Sequence, residues 1–92
     1  MRIAIDFDQT IFNRRTGEMD GKDKINNWHD EGYEITIFTS RPDTEFSTIE
    51  AQLNKEGICF DRIICGKPMY DLLIDDKASR FEGWQKDYDE EL

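Results

Sequence analysis

Four short apolar runs mark the chain, and each of them gives way to polar or turn-forming residues. Runs of this length, rich in Ile and bounded by acids, glycines or prolines, are typical of buried β-strands. They predict strands at residues 2–7, 33–38 and 58–64, and a fourth, very short strand at 72–74.

Apolar residues at helical spacing separate these strands. The first predicted helix covers about residues 20–31 and is followed by Gly32, and the second begins with Asp43 or Thr44 as its N-cap and ends at Gly57. A third helix is predicted in the tail, residues 78–92, because three aromatic residues fall on one side of it. These residues are Phe81, Trp84 and Tyr88.

Strands that alternate with helices indicate an α/β fold with a parallel sheet and right-handed crossovers. We therefore expect a single domain over residues 1–92, with a minimal Rossmann-like three-layer α/β/α sandwich around a short parallel sheet of about four strands. The segment 12–18 contains turn-forming residues and is expected to project as a small hairpin or loop.

Composition narrows the class of protein. The net charge is −9, and an acidic surface repels phosphate backbones, so nucleic acid is disfavoured as a partner. No apolar run approaches the ~18 residues of a membrane span, and the first residues do not resemble a signal peptide. Cys59 and Cys65 lack a metal-binding spacing and are expected to pack as small core residues, which favours a cytoplasmic, reducing location.

The residues that follow the predicted strands carry the chemistry. In a parallel sheet they share one edge, where α/β proteins place their sites. Several carboxylates at that edge would repel one another, and hard oxygen ligands suit Mg²⁺, so we expect a magnesium ion there. Such an arrangement suits phosphoryl transfer. The candidate residues are Asp6, Asp8 and Thr10 after the first strand, Thr39, Ser40 and Arg41 after the second, Lys67 after the third, and Asp75 and Asp76 after the fourth.

Four of these segments together resemble the motifs of haloacid dehalogenase superfamily phosphatases, in the order typical of that family. They are the strand-plus-DxDxT segment at 3–10, the strand ending in Thr39, the lysine Lys67, and the apolar run ending in Asp75-Asp76. The stretches 37–41 and 75–78 also resemble small capless members associated with capsule and sugar-phosphate metabolism. The resemblance spans nearly the whole chain and implies a magnesium-dependent phosphohydrolase.

The resemblance also implies a role for each matching residue. Asp6 would attack phosphorus and form an aspartyl-phosphate, and Asp8 would act as acid and base. Thr39 would bind a phosphoryl oxygen, and Lys67 would offset negative charge. Magnesium would be held by Asp6, the Asp8 carbonyl and Asp75, with Asp76 close by; Thr10, Ser40 and Arg41 are candidate substrate contacts.

The sequence departs from the family pattern in two respects. Gln9 stands before the motif threonine, where glycine is common, and the segments after the first two motifs are too short for a cap domain. An open site admits a large phosphorylated partner, but a small phosphorylated metabolite such as a sugar phosphate is favoured. The loop at 12–18, or a neighbouring subunit of a homo-oligomer, would then cover it.

Other interpretations of the same residues stay open. Asp6 and Asp8 could cap a turn, Thr39 or Ser40 could start a helix, and Arg41 could form a helix-end ion pair. A phospho-acceptor signalling module uses similar residue types, although such receivers place the acidic pair first along the chain. A non-catalytic binding domain of the same fold is the third alternative.

Overall fold

A computed structural model describes residues 1–68 and 72–92 of the chain. Three parallel strands form one sheet in the order β1-β2-β3, with β1 at Arg2–Asp6, β2 at Glu34–Phe38 and β3 at Arg62–Ile64. Each lies within a predicted apolar run, so the alternating α/β pattern and three of the predicted strands are confirmed.

Two α-helices connect the strands, α1 at Lys22–Asp30 and α2 at Phe46–Glu56. Gly57 ends α2 in the left-handed region with φ 76°, as predicted. The predicted N-cap at Asp43 or Thr44 is wrong, because a 3₁₀ turn at Asp43–Glu45 precedes α2 and no side chain caps it. The backbone N–H of Glu45 donates to the carbonyl of Pro42 instead, which satisfies that turn internally.

The core lies against one face of the sheet. In register, Ile5 pairs with Ile37 and Ile37 with Ile63, which places odd-numbered side chains on this face. Both helices contribute buried residues to the same core, with Ile25 and Trp28 from α1, and Ile49 and Leu53 from α2. The opposite face carries Ala4, which is exposed, and Thr36 and Phe38, which are half-buried. The third layer of the expected sandwich therefore stays a prediction.

The predicted fourth strand is wrong, since residues 72–74 form no strand. The side chains of Leu72, Leu73 and Ile74 are 75%, 56% and 88% exposed. Immediately after them, the carboxylate of Asp75 accepts a hydrogen bond from the backbone N–H of Lys77 at 2.8 Å. This local turn competes with extended pairing, and three apolar residues are too few to outweigh it.

The predicted tail helix is also wrong. Gly83 has φ 94°, a left-handed conformation that interrupts a helix, and only a 3₁₀ turn at Tyr88–Glu91 forms. The aromatic residues pack as a cluster instead: the ring of Trp84 lies 5.5 Å from Phe81 and 6.4 Å from both Trp28 and Tyr88. We call residues 81–91, which lie across α1, the C-terminal strap.

Two direct bonds fasten the C-terminal strap to α1. The indole N–H of Trp28 donates to the carboxylate of Asp89 at 2.6 Å, and the ammonium of Lys24 donates to the carbonyl of Lys86 at 2.9 Å. Within the two described stretches, no helix is long and apolar enough to cross a membrane.

Candidate active site

The chain reverses sharply after β1, and this turn presents two carboxylates. Pairing with β2 continues one residue beyond the strand, as the N–H of Phe7 donates to the carbonyl of Phe38 at 2.9 Å. Gln9 then adopts the left-handed φ of 63°, and its N–H donates to the carbonyl of Phe12 at 2.7 Å. Asp6 and Asp8 lie on either side of Phe7, within the alternating part of the backbone, and so emerge on the same side of the sheet edge.

The backbone at Gln9 explains why glycine suits this position. A φ of 63° is strained for most side chains and costs glycine nothing. Here the side-chain oxygen of Gln9 accepts a hydrogen bond from the N–H of Arg14 at 3.0 Å, which links the turn to the following loop. That loop, predicted at 12–18, is confirmed: Phe12 bridges to Met19, and Asn13 accepts from three backbone N–H groups inside it.

Asp8 is held by two residues that follow β2. The hydroxyl of Thr39, which is fully buried, donates to the Asp8 carboxylate at 3.1 Å and accepts from the backbone N–H of Arg41 at 3.1 Å. The Arg41 side chain contacts the same carboxylate, with Nη2 2.7 Å from Oδ1. Of the earlier alternatives for Arg41, an ion pair is present, but its partner is Asp8 and not a helix-end carboxylate.

An aromatic pair supports the Arg41 guanidinium. The rings of Phe7 and Phe12 stack at 5.6 Å, and the guanidinium carbon lies 5.3 Å from one ring centre and 5.4 Å from the other. Such contacts favour a cation. The sequence interpretation missed both rings, although Phe7 lies between the two motif aspartates and Phe12 is the second residue after the motif.

Lys67 reaches the other carboxylate. Its backbone N–H donates to the carbonyl of Thr39 at 2.9 Å, which continues the pairing of β3 with β2 beyond the strand ends. Its ammonium lies 3.8 Å from the Asp6 carboxylate and 4.2 Å from the centre of the Phe38 ring. Burial raises the pKa of the Asp6 carboxyl above its ordinary value, and the Lys67 charge opposes that rise.

Four of the predicted site residues are not part of this group of side chains. The carbonyl of Thr10 accepts from the indole N–H of Trp84 at 2.8 Å, and Ser40 is exposed. Asp75 and Asp76 lie in the exposed segment after residue 72. Among residues 1–68 and 72–92, no three His, Cys, Asp or Glu side chains lie close enough together to hold a metal ion. The structure thus brings together Asp6, Asp8, Thr39, Arg41 and Lys67, but not the acidic pair.

The five gathered side chains alternate in charge. One carboxylate, Asp6, lies beside an ammonium, and the other, Asp8, lies beside a guanidinium and a hydroxyl. Both cations are part-buried, where charge–charge interactions are less screened than at a free surface. The two cations, Lys67 and Arg41, can bind an anion here. The exposed carboxylate of Asp6 then supplies a nucleophilic oxygen next to that anion.

Comparisons with known proteins give one structural relative. No protein-family model matches the chain, and no curated protein matches it. A crystal structure of a structural genomics target from Vibrio cholerae is similar, with a TM-score of 0.70 and 26% sequence identity over 86% of this chain and 82% of that chain. That relative carries no functional name. The match covers most of both chains, so the two proteins share their fold.

Proposed function

We propose that this protein is a magnesium-dependent phosphomonoesterase that acts through a phosphorylated Asp6. The observation that carries the proposal is the paired placement of two carboxylates at one sheet edge. Asp6 lies 3.8 Å from Lys67, and Asp8 is bound by both Thr39 and Arg41. Nucleophile, acid/base and charge-neutralising groups are the parts that phosphoryl transfer requires.

The first step uses Asp6 as the nucleophile. An oxygen of its carboxylate attacks phosphorus while the ester P–O bond breaks, and Asp8 donates a proton to the departing oxygen. In the second step Asp8 takes a proton from water, whose oxygen attacks phosphorus. The bond between phosphorus and Asp6 then breaks, which releases phosphate and restores the carboxylate.

Arg41 has to change partner for Asp8 to act as an acid. In the structure its guanidinium bonds to both carboxylate oxygens of Asp8. The phosphate oxygens of a bound substrate offer the same fork-shaped acceptor with more negative charge. Arg41 would therefore move to the substrate and leave Asp8 free to accept and donate its proton.

The described donors fit a magnesium ion that keeps part of its water shell. Mg²⁺ is usually bound through one or two carboxylates together with substrate phosphate, and Asp6 and the main-chain oxygen of Asp8 are available for this. Burial makes negative charge on Asp6 unfavourable, which a cation would relieve. When bound, the ion would neutralise charge on the phosphoryl oxygens. Asp75 and Asp76 stay predicted ligands.

Hydrolysis of acetyl phosphate and of an aryl phosphate tests the proposal. We expect release of phosphate with Mg²⁺, loss of that release with EDTA, and no turnover by Asp6→Asn, which keeps the shape of the side chain. Asp87→Asn, which removes a carboxylate from the C-terminal strap, is the matched control and should keep full activity. Near-wild-type turnover by Asp6→Asn would exclude the mechanism.

A further inference from the structure

The guanidinium of Arg41 has two kinds of partner. It donates to the carboxylate of Asp8, and it lies over the stacked rings of Phe7 and Phe12, 5.3 Å and 5.4 Å from their centres. The Arg41 backbone is fixed separately, because its N–H donates to the side chain of Thr39 and its carbonyl accepts from a backbone N–H at 2.8 Å. A change of partner by Arg41 therefore needs movement of its side chain alone.

The two kinds of partner respond differently to the proposed chemistry. Asp8 carries a proton when it acts as an acid, and a neutral carboxyl group attracts the guanidinium far less than a carboxylate does. The aromatic rings do not titrate, and the negative potential of their faces attracts a cation throughout. The contact of Arg41 with the rings is thus the one that does not depend on the proton of Asp8.

The ring of Phe12 is held by the turn that carries Asp8. The N–H of Phe12 donates to the carbonyl of Phe7 at 2.9 Å, and its carbonyl accepts from the N–H of Gln9 at 2.7 Å. Beyond the turn, Phe12 also bridges to Met19, which closes the following loop. Phe7 is fully buried and Phe12 is half-buried, so water is partly excluded from the pair, and a cation–π contact is stronger there than at an exposed site.

We propose that Phe12 is a positioning residue for phosphate binding, whose ring keeps the Arg41 guanidinium at the site while Arg41 passes from Asp8 to the substrate phosphate. A long arginine side chain loses rotamer entropy when it binds an anion, and a ring that already restricts it lowers that cost. Phe7 makes the same contact, but it is a fully buried core residue, so its replacement would also disturb the fold. The inference rests on the proposed function, which assigns the substrate phosphate to Arg41.

Binding of inorganic phosphate with Mg²⁺, measured by isothermal titration calorimetry, tests the role of Phe12. Phe12→Leu keeps an apolar side chain but removes the ring face, and should weaken phosphate binding about three- to tenfold, as expected for the loss of a partly shielded cation–π contact. Phe12→Tyr keeps the ring and should bind phosphate as wild type does. Phe60→Leu is the matched control, because Phe60 packs half-buried against the same core just before β3, at the sheet edge opposite the site.

The Arg41→Ala background separates positioning from packing. There the ring of Phe12 has no guanidinium to hold, so adding Phe12→Leu should weaken phosphate binding no further. With Arg41 present, Phe12→Leu should raise KM for acetyl phosphate by the same factor as it weakens phosphate binding, and should leave kcat within about twofold of wild type. If Phe12→Leu does not fold, pentafluorophenylalanine in place of Phe12 keeps the ring but withdraws negative charge from its face, and the same weakening is expected.

The outcomes distinguish this inference from the proposed function. Weaker phosphate binding by Phe12→Leu that requires Arg41 would support the inference, whereas an equal fall in the Arg41→Ala background or in Phe60→Leu would overturn it. Wild-type affinity and wild-type KM in Phe12→Leu would overturn the positioning role and leave the phosphatase proposal standing. Phosphate binding that depends on Phe12, without turnover by wild-type protein, would support the positioning role and overturn the phosphatase proposal. Absence of both binding and turnover would overturn both.

Discussion

The guanidinium of Arg41 donates hydrogen bonds to the carboxylate of Asp8 through two nitrogens, with Nη2 2.7 Å from Oδ1 and Nε 3.2 Å from each oxygen. Both side chains are largely buried, 21% and 18% exposed, so water screens the pair less than a surface ion pair. The stacked rings of Phe7 and Phe12 lie against the same guanidinium. The substrate-free site thus keeps a cation beside the proposed acid/base.

Replacing Arg41 should therefore affect both stability and turnover. We expect Arg41→Ala to lower the free energy of unfolding by about 1–3 kcal/mol, because it leaves the Asp8 charge buried with fewer partners. Activity on acetyl phosphate should fall, mainly through KM. Arg41→Lys keeps the positive charge but not the bidentate guanidinium. It should therefore recover only part of the stability and part of the activity that Arg41→Ala loses. Urea unfolding and steady-state kinetics measure the two effects.

Arg62→Ala is the control for this variant, because Arg62 forms an exposed ion pair with Glu34. Surface pairs of that kind contribute about 0–1 kcal/mol. Equal losses of stability in the two variants would show that the pairing of Arg41 with Asp8 has no special role.

The hydroxyl of Thr39 connects Asp8 with Arg41. Thr39→Val keeps the shape of the side chain but removes the donor to Asp8 and the acceptor for the N–H of Arg41. We expect a loss of about 1–3 kcal/mol in unfolding free energy and a fall in kcat, since two polar groups lose a partner in a buried site. Thr39→Ser retains the hydroxyl and should preserve most of the activity. If valine and serine variants were equally active, the hydroxyl would have no catalytic role.

Gly21 joins the loop after β1 to the C-terminal strap. It has φ 88°, and a Cβ atom there would overlap the Trp84 ring. Gly17 has a similar φ of 75° but no neighbour within 4 Å of such a Cβ, so it is a matched control. Gly17→Ala should cost about 1–2 kcal/mol through backbone strain alone. Gly21→Ala should cost clearly more in urea unfolding. Equal costs would mean that the strap does not pack there in solution.

The raised pKa of Asp6 predicts how stability depends on pH in the metal-free protein. Burial raises this pKa above 3.8, so the folded state binds the proton more tightly than the unfolded state. The stability that Asp6 contributes is present at low pH and is lost as pH rises through the folded-state pKa. In EDTA, Asp6→Asn should match wild type well below pH 3.8, where both the folded and the unfolded state bind the proton, and be slightly more stable at pH 7.

The size of that difference should stay below about 1 kcal/mol, because 39% of the Asp6 side chain is exposed to solvent. Thermal unfolding at several pH values measures it. A variant less stable than wild type at pH 7 would contradict the raised pKa.

The sequence predicted those parts of the fold that local patterns specify. Each of the strands β1, β2 and β3 carries an apolar run closed by polar residues, and Gly57 marks the end of α2, so both kinds of element were predicted in the right places. The apolar run at 72–74 has the same local pattern but forms no strand. Whether such a run pairs depends on a partner elsewhere in the chain, which local sequence does not specify.

The tail shows the same limit for helices. The spacing of Phe81, Trp84 and Tyr88 fits one side of a helix, yet it also fits a compact cluster around Trp84. Gly83 between them decides for the second arrangement, since its left-handed backbone breaks a helix. The sequence shows a glycine at this position but neither its backbone conformation nor the contact of Trp84 with Gly21. It therefore does not separate a helix from a cluster.

Within the site, the gathering of Asp6, Asp8, Thr39 and Lys67 followed from the parallel sheet and the first three motifs, whereas the fourth motif, Asp75-Asp76, was not brought to it. The pairing of Arg41 with Asp8 did not follow from them, because it depends on the conformation of the turn around Gln9 and on the rings of Phe7 and Phe12.

The most direct test of the central claim is to find which residue carries the phosphoryl group. Wild-type protein and Asp8→Asn are mixed with an aryl phosphate and Mg²⁺, quenched in acid and mapped by peptide mass spectrometry. An aryl leaving group needs little protonation, so Asp8→Asn should still form the intermediate but hydrolyse it slowly. We expect a phosphorylated peptide 3–14 with the group on Asp6, more abundant in Asp8→Asn. Phosphorylation at another residue, or turnover with none at Asp6, would contradict the account.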